Sequence, residues 1–240
     1  LFPRSKVLSA EGVALKISAV IPAYNEEKTI GQTVRALSAV EEISEIIVVD
    51  DGSKDGTSEA ARLAGASVLT LSENLGKGGA LAKGIDVASG DVLCFVDADL
   101  GETASEFRRL INPVVNGETD MTVAAWAKSG RRAGFGLVKG LASWGIYLLA
   151  GYRPNSPLSG QRVLRREVWD HANHACSGFG VEVGLTVECL RAGLRISEIP
   201  VSMRHRETGR DLSGFLHRGK QFVQVTCTLC RMILHRKERL

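Results

Sequence analysis

Three apolar runs, each halted by a polar cluster, constrain the fold of this chain more than any other feature. Ile17-Ser18-Ala19-Val20-Ile21 stops at Pro22 and opens into Ala23-Tyr24-Asn25-Glu26-Glu27. Ile46-Ile47-Val48-Val49 ends in Asp50-Asp51-Gly52-Ser53, and Val92-Leu93-Cys94-Phe95 runs into Val96-Asp97-Ala98-Asp99-Leu100. Short apolar runs bounded by turn residues read as buried strands. Helical patterns separate them: one through Ile30, Val34, Leu37 and Val40, and one near Gly56 to Ala64 with Ser53 or Asp55 as its cap. After a further strand at Val68–Leu71, Asn74-Leu75-Gly76-Lys77-Gly78-Gly79 leads into a helix to Ala88. Strands alternating with helices predict an α/β fold, a Rossmann-like, mostly parallel sheet with helices on both faces. Ligands of such sheets bind beyond the carboxyl ends of the strands. The clusters at 22–27, 50–53 and 97–99 are therefore expected to face one crevice.

The residues in that crevice suggest a chemistry. Asp97 and Asp99, one residue apart past a strand end, can share a hard divalent cation that keeps phosphate oxygens in its shell. The glycines at 76 to 79 let backbone approach a diphosphate, with Lys77 as a point charge. No Lys-Ser/Thr pair follows them, so this is not a Walker A loop, and the spacing is not that of a dinucleotide fingerprint. The formal net charge of +3 is too mild to argue for nucleic acid. Five scattered cysteines read as reduced thiols rather than a disulfide framework, which points to the cytoplasm. No secretory signal opens the sequence, and no uncharged run reaches the roughly 18 residues of a spanning helix.

Beyond residue 103 the pattern predicts a helix near 104–116, a strand at 121–125 and a basic loop with Lys128, Arg131 and Arg132. The apolar stretch Leu137–Tyr152 reads as a core or an interfacial helix. A short strand follows over Ser159–Leu164, then a helix near Val181 to Ala192 and a strand at Ile196–Val201. The chain is expected to form one domain: a nucleotide-sugar-binding half at 17–125, an acceptor half at 126–210, and a basic amphipathic helix at 211–240. From Phe215 onward, Leu216, Phe222, Val223, Val225, Leu229, Met232, Ile233 and Leu234 mix with Arg218, Lys220, Arg231, Arg236, Lys237 and Arg239. That composition suits peripheral attachment on the cytoplasmic face of an anionic membrane, or packing on the protein's own core or on partner helices.

Four segments, Pro22-Ala23-Tyr24-Asn25-Glu26, Val49-Asp50-Asp51-Gly52-Ser53, Asn74-Leu75-Gly76-Lys77-Gly78 and Asp97-Ala98-Asp99-Leu100, resemble family 2 glycosyltransferases of the GT-A fold. Within that family the Asp-Ala-Asp-Leu and Ser-Gly-x-Arg segments are most similar to dolichyl- or polyprenyl-phosphate sugar synthases. The resemblance implies a metal-dependent transferase that moves a hexose from a UDP- or GDP-linked sugar to a polyprenyl-phosphate acceptor. A small soluble phosphorylated acceptor, or a nucleotide-sugar-binding protein without turnover, are the alternatives. By the same resemblance Pro22, Ala23, Tyr24, Glu26, Asp50, Asp51, Lys77, Asp97 and Ala98 would hold the nucleotide sugar. Asp97 and Asp99 would ligate Mg2+ or Mn2+, with His205 as a candidate further ligand. Asp99, Glu182 and Arg206 would serve catalysis, Glu182 either as general base or by orienting an arginine. One departure stands out: the polyprenyl-phosphate enzymes usually continue with Gln-His, where this chain has Gly101-Glu102.

Overall fold

The computed structural model describes residues 7–8, 12, 14–126, 136–172, 180–204, 223, 225–230 and 232. Where the sequence suggests an irregular arm, two short strands, β1 (Val7–Leu8) and β2 (Ala14–Leu15), pair antiparallel. Seven strands form the main sheet: β3 (Ile17–Ala23), β4 (Glu45–Asp50), β5 (Ser67–Thr70), β6 (Val92–Phe95), β7 (Met121–Trp126), β8 (Arg162–Arg165) and β9 (Ile196–Val201). Their order is β5-β4-β3-β6-β8-β7-β9. The first four run parallel, as expected. β8 departs from the pattern, lying antiparallel between β6 and β7, while β9 is parallel to β7. β8 begins at Arg162, later than the sequence suggests, although the Gln161 carbonyl already accepts the Ala124 N–H of β7.

The period-2 alternation of the strands divides the core into two layers. Ile17, Ala19, Ile21, Ile46, Val48, Val92 and Cys94 pack on one face, with Ile30, Val34 and Leu37 of α1 (Ile30–Ser38) and Phe107, Leu110 and Ile111 of α4 (Phe107–Val115). Val20, Ile47, Val49, Leu93 and Phe95 pack on the other, beneath α3 (Gly76–Val87), α6 (Arg166–Ala172) and α7 (Val181–Arg191). The short α2 (Thr57–Leu63) is anchored by Asp55, whose carboxylate accepts the Thr57 N–H. A 3-10 turn (Gly101–Glu106) precedes α4, so the predicted helix near 104 begins three residues later in α-geometry.

A third apolar cluster joins α5 (Gly136–Ala150), α7 and the helical residues between 223 and 232. Val225, Leu229 and Met232 are buried there against Ala142, Ile146, Val183 and Val187. Those three apolar residues of the expected membrane-facing helix cover the protein's own helices α5 and α7, whereas Val223 is exposed. The basic residues at 206–220 and beyond 232, and the loop at 128–132, lie outside the described residues. Among the described residues no helix is long and apolar enough to cross a membrane.

Candidate active site

The carboxyl ends of β3, β4 and β6 open on a cleft of about 340 Å3 lined by Pro22, Ala23, Tyr24, Glu26, Asp51, Lys77, Asp97, Ala98 and Asp99. The loops that frame it are tied to each other. Asn25 takes a left-handed conformation (φ 55°), in which its N–H donates to the Ser53 hydroxyl and its side-chain oxygen accepts the Lys54 N–H, both at 2.9 Å. The Glu26 N–H donates to Thr57 at 2.8 Å, while the Glu26 carboxylate accepts the Thr29 hydroxyl at 2.7 Å.

Two predicted nucleotide ligands have structural partners. Asp50 does not line the cleft: it is buried, accepts the Ser53 N–H at 2.9 Å and the Ser58 hydroxyl, and so holds the turn after β4. Asp51 does line it, but its two carboxylate oxygens accept the N–H groups of Leu75 at 2.7 Å and Gly76 at 2.9 Å. A carboxylate at a helix N-terminus satisfies donors that otherwise lack partners and suits the dipole. These first amides of α3, which the glycine pattern suggests for a diphosphate, are therefore engaged by Asp51.

Lys77 reaches from the first turn of α3 to Asp97, with Nζ 2.7 Å from Oδ1, and to Glu182, 3.4 Å from Oε1. Burial acts to lower the Lys77 pKa, but the charges of Asp97 and then Glu182 outweigh it and hold the ammonium above the usual lysine range. The other Asp97 oxygen accepts the Gln161 side-chain amide, whose carbonyl accepts the Asp97 N–H at 3.0 Å. Glu182, in the first turn of α7, is buried and lines a cavity of about 10 Å3 with Lys77, Gly160 and Arg162. The Arg162 guanidinium, also buried, donates to the Ser159 carbonyl and the Thr186 hydroxyl, both at 2.9 Å.

The structure thus gathers nine of the predicted residues around one opening, with Glu182 behind Lys77. His205 and Arg206 lie outside the described residues. The sequence assigns no site role to Gln161, Arg162 or Thr186; the Ser159-Gly160-Gln161-Arg162 segment hints at the first two, and no signal points to Thr186. Among the described residues no three histidine, cysteine or acidic side chains form a metal cluster. Two hard carboxylates at the cleft nonetheless fit Mg2+ or Mn2+, cations that commonly complete their shells with water and substrate phosphate oxygens.

The family model for glycosyl transferase family 2 matches residues 18–175. Glucosyl-3-phosphoglycerate synthase of Mycobacterium tuberculosis is 33% identical, over 92% of this chain and 75% of that protein. Glycosyltransferase AglJ of Haloferax volcanii is 28% identical, over 79% of this chain and 63% of its own. The crystal structure of the M. tuberculosis synthase with Mn2+, UDP and glucosyl-3-phosphoglycerate superposes with a TM-score of 0.73 at 29% identity, covering 91% of this chain and 80% of that one. A complex of the same synthase with Mn2+, UDP-glucose and phosphoglyceric acid gives 0.73 at 30% identity, covering 91% and 79%.

Proposed function

The chain belongs to glycosyl transferase family 2, and from that we propose that it transfers a hexose from a UDP-linked sugar to a small phosphorylated acceptor, with Mg2+ or Mn2+. The observation that carries this reading is the single cleft in which Asp97, Asp99 and Lys77 face Tyr24, Glu26 and Asp51. One end of it offers an aromatic ring and carboxylates to a nucleoside, and the other offers charge to a diphosphate. Residues 17–125 would hold the donor and 126–210 the acceptor. The relatives that bind UDP-glucose and phosphoglyceric acid support this choice of donor and acceptor class over the polyprenyl phosphate suggested by the short motifs.

Asp99, with Asp97 beside it, would hold the cation, which supplies positive charge to the departing nucleoside diphosphate. Asp97 and then Glu182 hold the Lys77 ammonium above the usual lysine range, so it would meet the donor phosphates in its protonated form. The cross-tied loops at 25–27 and 53–57 fix the nucleoside pocket before the donor arrives, which limits the ordering cost of binding. Glu182 is engaged with Lys77, an arrangement that favours orientation of a cation over proton abstraction. A phosphate nucleophile would need no base, whereas transfer to an acceptor hydroxyl releases a proton that a carboxylate at the site or solvent would take.

A second acceptor reading, a lipid phosphate at a membrane surface, rests on α5, where Trp144, Tyr147 and Leu148 are exposed on one side of the helix. Transfer assays with UDP- and GDP-sugars, crossed with 3-phosphoglycerate and polyprenyl phosphate, separate the two. Turnover with the soluble acid, lost in EDTA, is expected. Turnover with polyprenyl phosphate alone would replace this reading with the lipid one, and full rates in EDTA would remove the cation.

A further inference from the structure

We infer that Gln161 is a positioning residue that aims the Asp97 carboxylate at the cleft, with Gly160 leaving the space in which that carboxylate meets Lys77. The inference rests on the donor reading above and assigns work to two residues outside the nucleotide-binding motifs. Gln161 is fully buried, and its primary amide is used twice on the same neighbour. The side-chain carbonyl accepts the Asp97 N–H at 3.0 Å and the side-chain NH2 donates to Asp97 Oδ2. Among uncharged side chains, only a carboxamide presents a strong acceptor and a strong donor side by side in one plane. The pair therefore fixes both the backbone and the carboxylate of Asp97 relative to β8.

Gln161 is itself held, since its main-chain carbonyl accepts the Ala124 N–H at 3.0 Å from β7. With Oδ2 on Gln161, Oδ1 is turned to Lys77 at 2.7 Å. Gly160 borders this ion pair. A Cβ added there would overlap Lys77 Nζ and lie 3.3 and 3.4 Å from the two Asp97 oxygens. Residue 160 thus keeps the pair's space clear while residue 161 sets its direction. A carboxylate left to rotate would meet the donor in several rotamers, and affinity would fall by the fraction of time it is misplaced.

A double-mutant cycle on nucleotide affinity tests the inference. Calorimetric titration of UDP and of GDP, each with and without Mg2+ or Mn2+, is run on wild type, Gln161→Met, Asp97→Asn and the double variant. Methionine keeps the length of glutamine and removes both hydrogen bonds. We expect Gln161→Met to weaken binding about 10-fold in the wild-type background and less than about 2-fold beside Asp97→Asn, because Gln161 acts through Asp97. A purely structural role would cost the same in both backgrounds, and that additive result would overturn the inference. So would unchanged affinity in the single variant.

Gly160→Ala gives a second cycle that does not depend on the folding of the first. It is expected to lose about 10-fold in the wild-type background and little beside Lys77→Ala, where the space is freed. Equal losses in both backgrounds would remove Gly160 from the arrangement. Failure of wild type to bind either nucleotide would defeat the donor reading and this inference together, whereas wild-type binding with additive costs would defeat the inference alone.

Discussion

On the donor side of the cleft, loops 24 to 31 residues apart in sequence are fastened by hydrogen bonds from side chains to backbone: Asn25 to Ser53 and Lys54, Glu26 to Thr57, Asp51 to Leu75 and Gly76. On the far side, α5, α7 and the helical residues between 223 and 232 meet through apolar surface, notched by glycine. A Cβ on Gly145 would press into Leu229, and one on Gly180 would overlap the Thr228 hydroxyl. Hydrogen bonds fix direction, whereas apolar packing fixes only volume. The donor wall is therefore a template for one class of ligand. The far wall can accept volume-conserving changes.

Substitution on the donor wall should strike function before stability. Asp99→Ala is the largest case, with transfer expected to fall by a factor on the order of 10^2 to 10^3 while the thermal midpoint stays within about 2 °C. A loss of several degrees in the midpoint would show that Asp99 supports the fold instead. Lys77→Ala should weaken free UDP about 10- to 100-fold, as removal of a charge-assisted contact does, and weaken the intact donor by the same factor. Calorimetry on both ligands checks this. A loss confined to the sugar-bearing donor would move Lys77 away from the phosphates.

Far-wall substitution should show the reverse order of effects. Gly180→Ala forces a methyl against Thr228, and overpacking of this kind costs about 1–3 kcal/mol, so the midpoint should fall by several degrees with UDP affinity within about 2-fold. The smallest effect belongs to Asp120. Burial acts to raise its pKa, but hydrogen bonds from Arg195 outweigh this and hold the carboxyl below its usual range. A depressed folded pKa contributes stability above the unfolded value of about 3.9, and that contribution is lost as pH falls through the folded value. Asp120→Asn should therefore melt about 1–3 °C below wild type at neutral pH, with the gap closing below about pH 4. A gap that persists at pH 2 would mean the ion pair is not its source.

The unequal construction of the two walls explains what can be read from the chain alone. Tyr24, Glu26, Asp97 and Asp99 follow directly on apolar runs, so strand periodicity by itself places them at one end of the sheet. Gln161 escapes that reasoning, since it meets Asp97 across 64 residues and immediately precedes a strand inserted antiparallel. Asp50 and Asp51 both read as cleft acids, yet only Asp51 lines the cleft, and their partners Ser58, Leu75 and Gly76 are not legible, because a carboxylate's choice between backbone and ligand depends on a loop elsewhere. The apolar residues Val225, Leu229 and Met232 have the same pattern whether they face lipid or protein. Only the glycine-notched groove between α5 and α7 decides the matter.

The position of β8 bears on how the protein is made. A chain emerging from the ribosome has all of β3, β4, β5 and β6 by residue 95, but the outer edge of β6 pairs with residues 162–165. β7 waits as well, since its neighbours in the sheet are β8 and β9. Throughout that interval an apolar strand edge is open, the situation most prone to pairing with another chain. Asp97 also remains without Gln161 until the same strand arrives. Incomplete copies ending before about residue 165 would thus carry every nucleotide-binding motif, yet be both adhesive and inert.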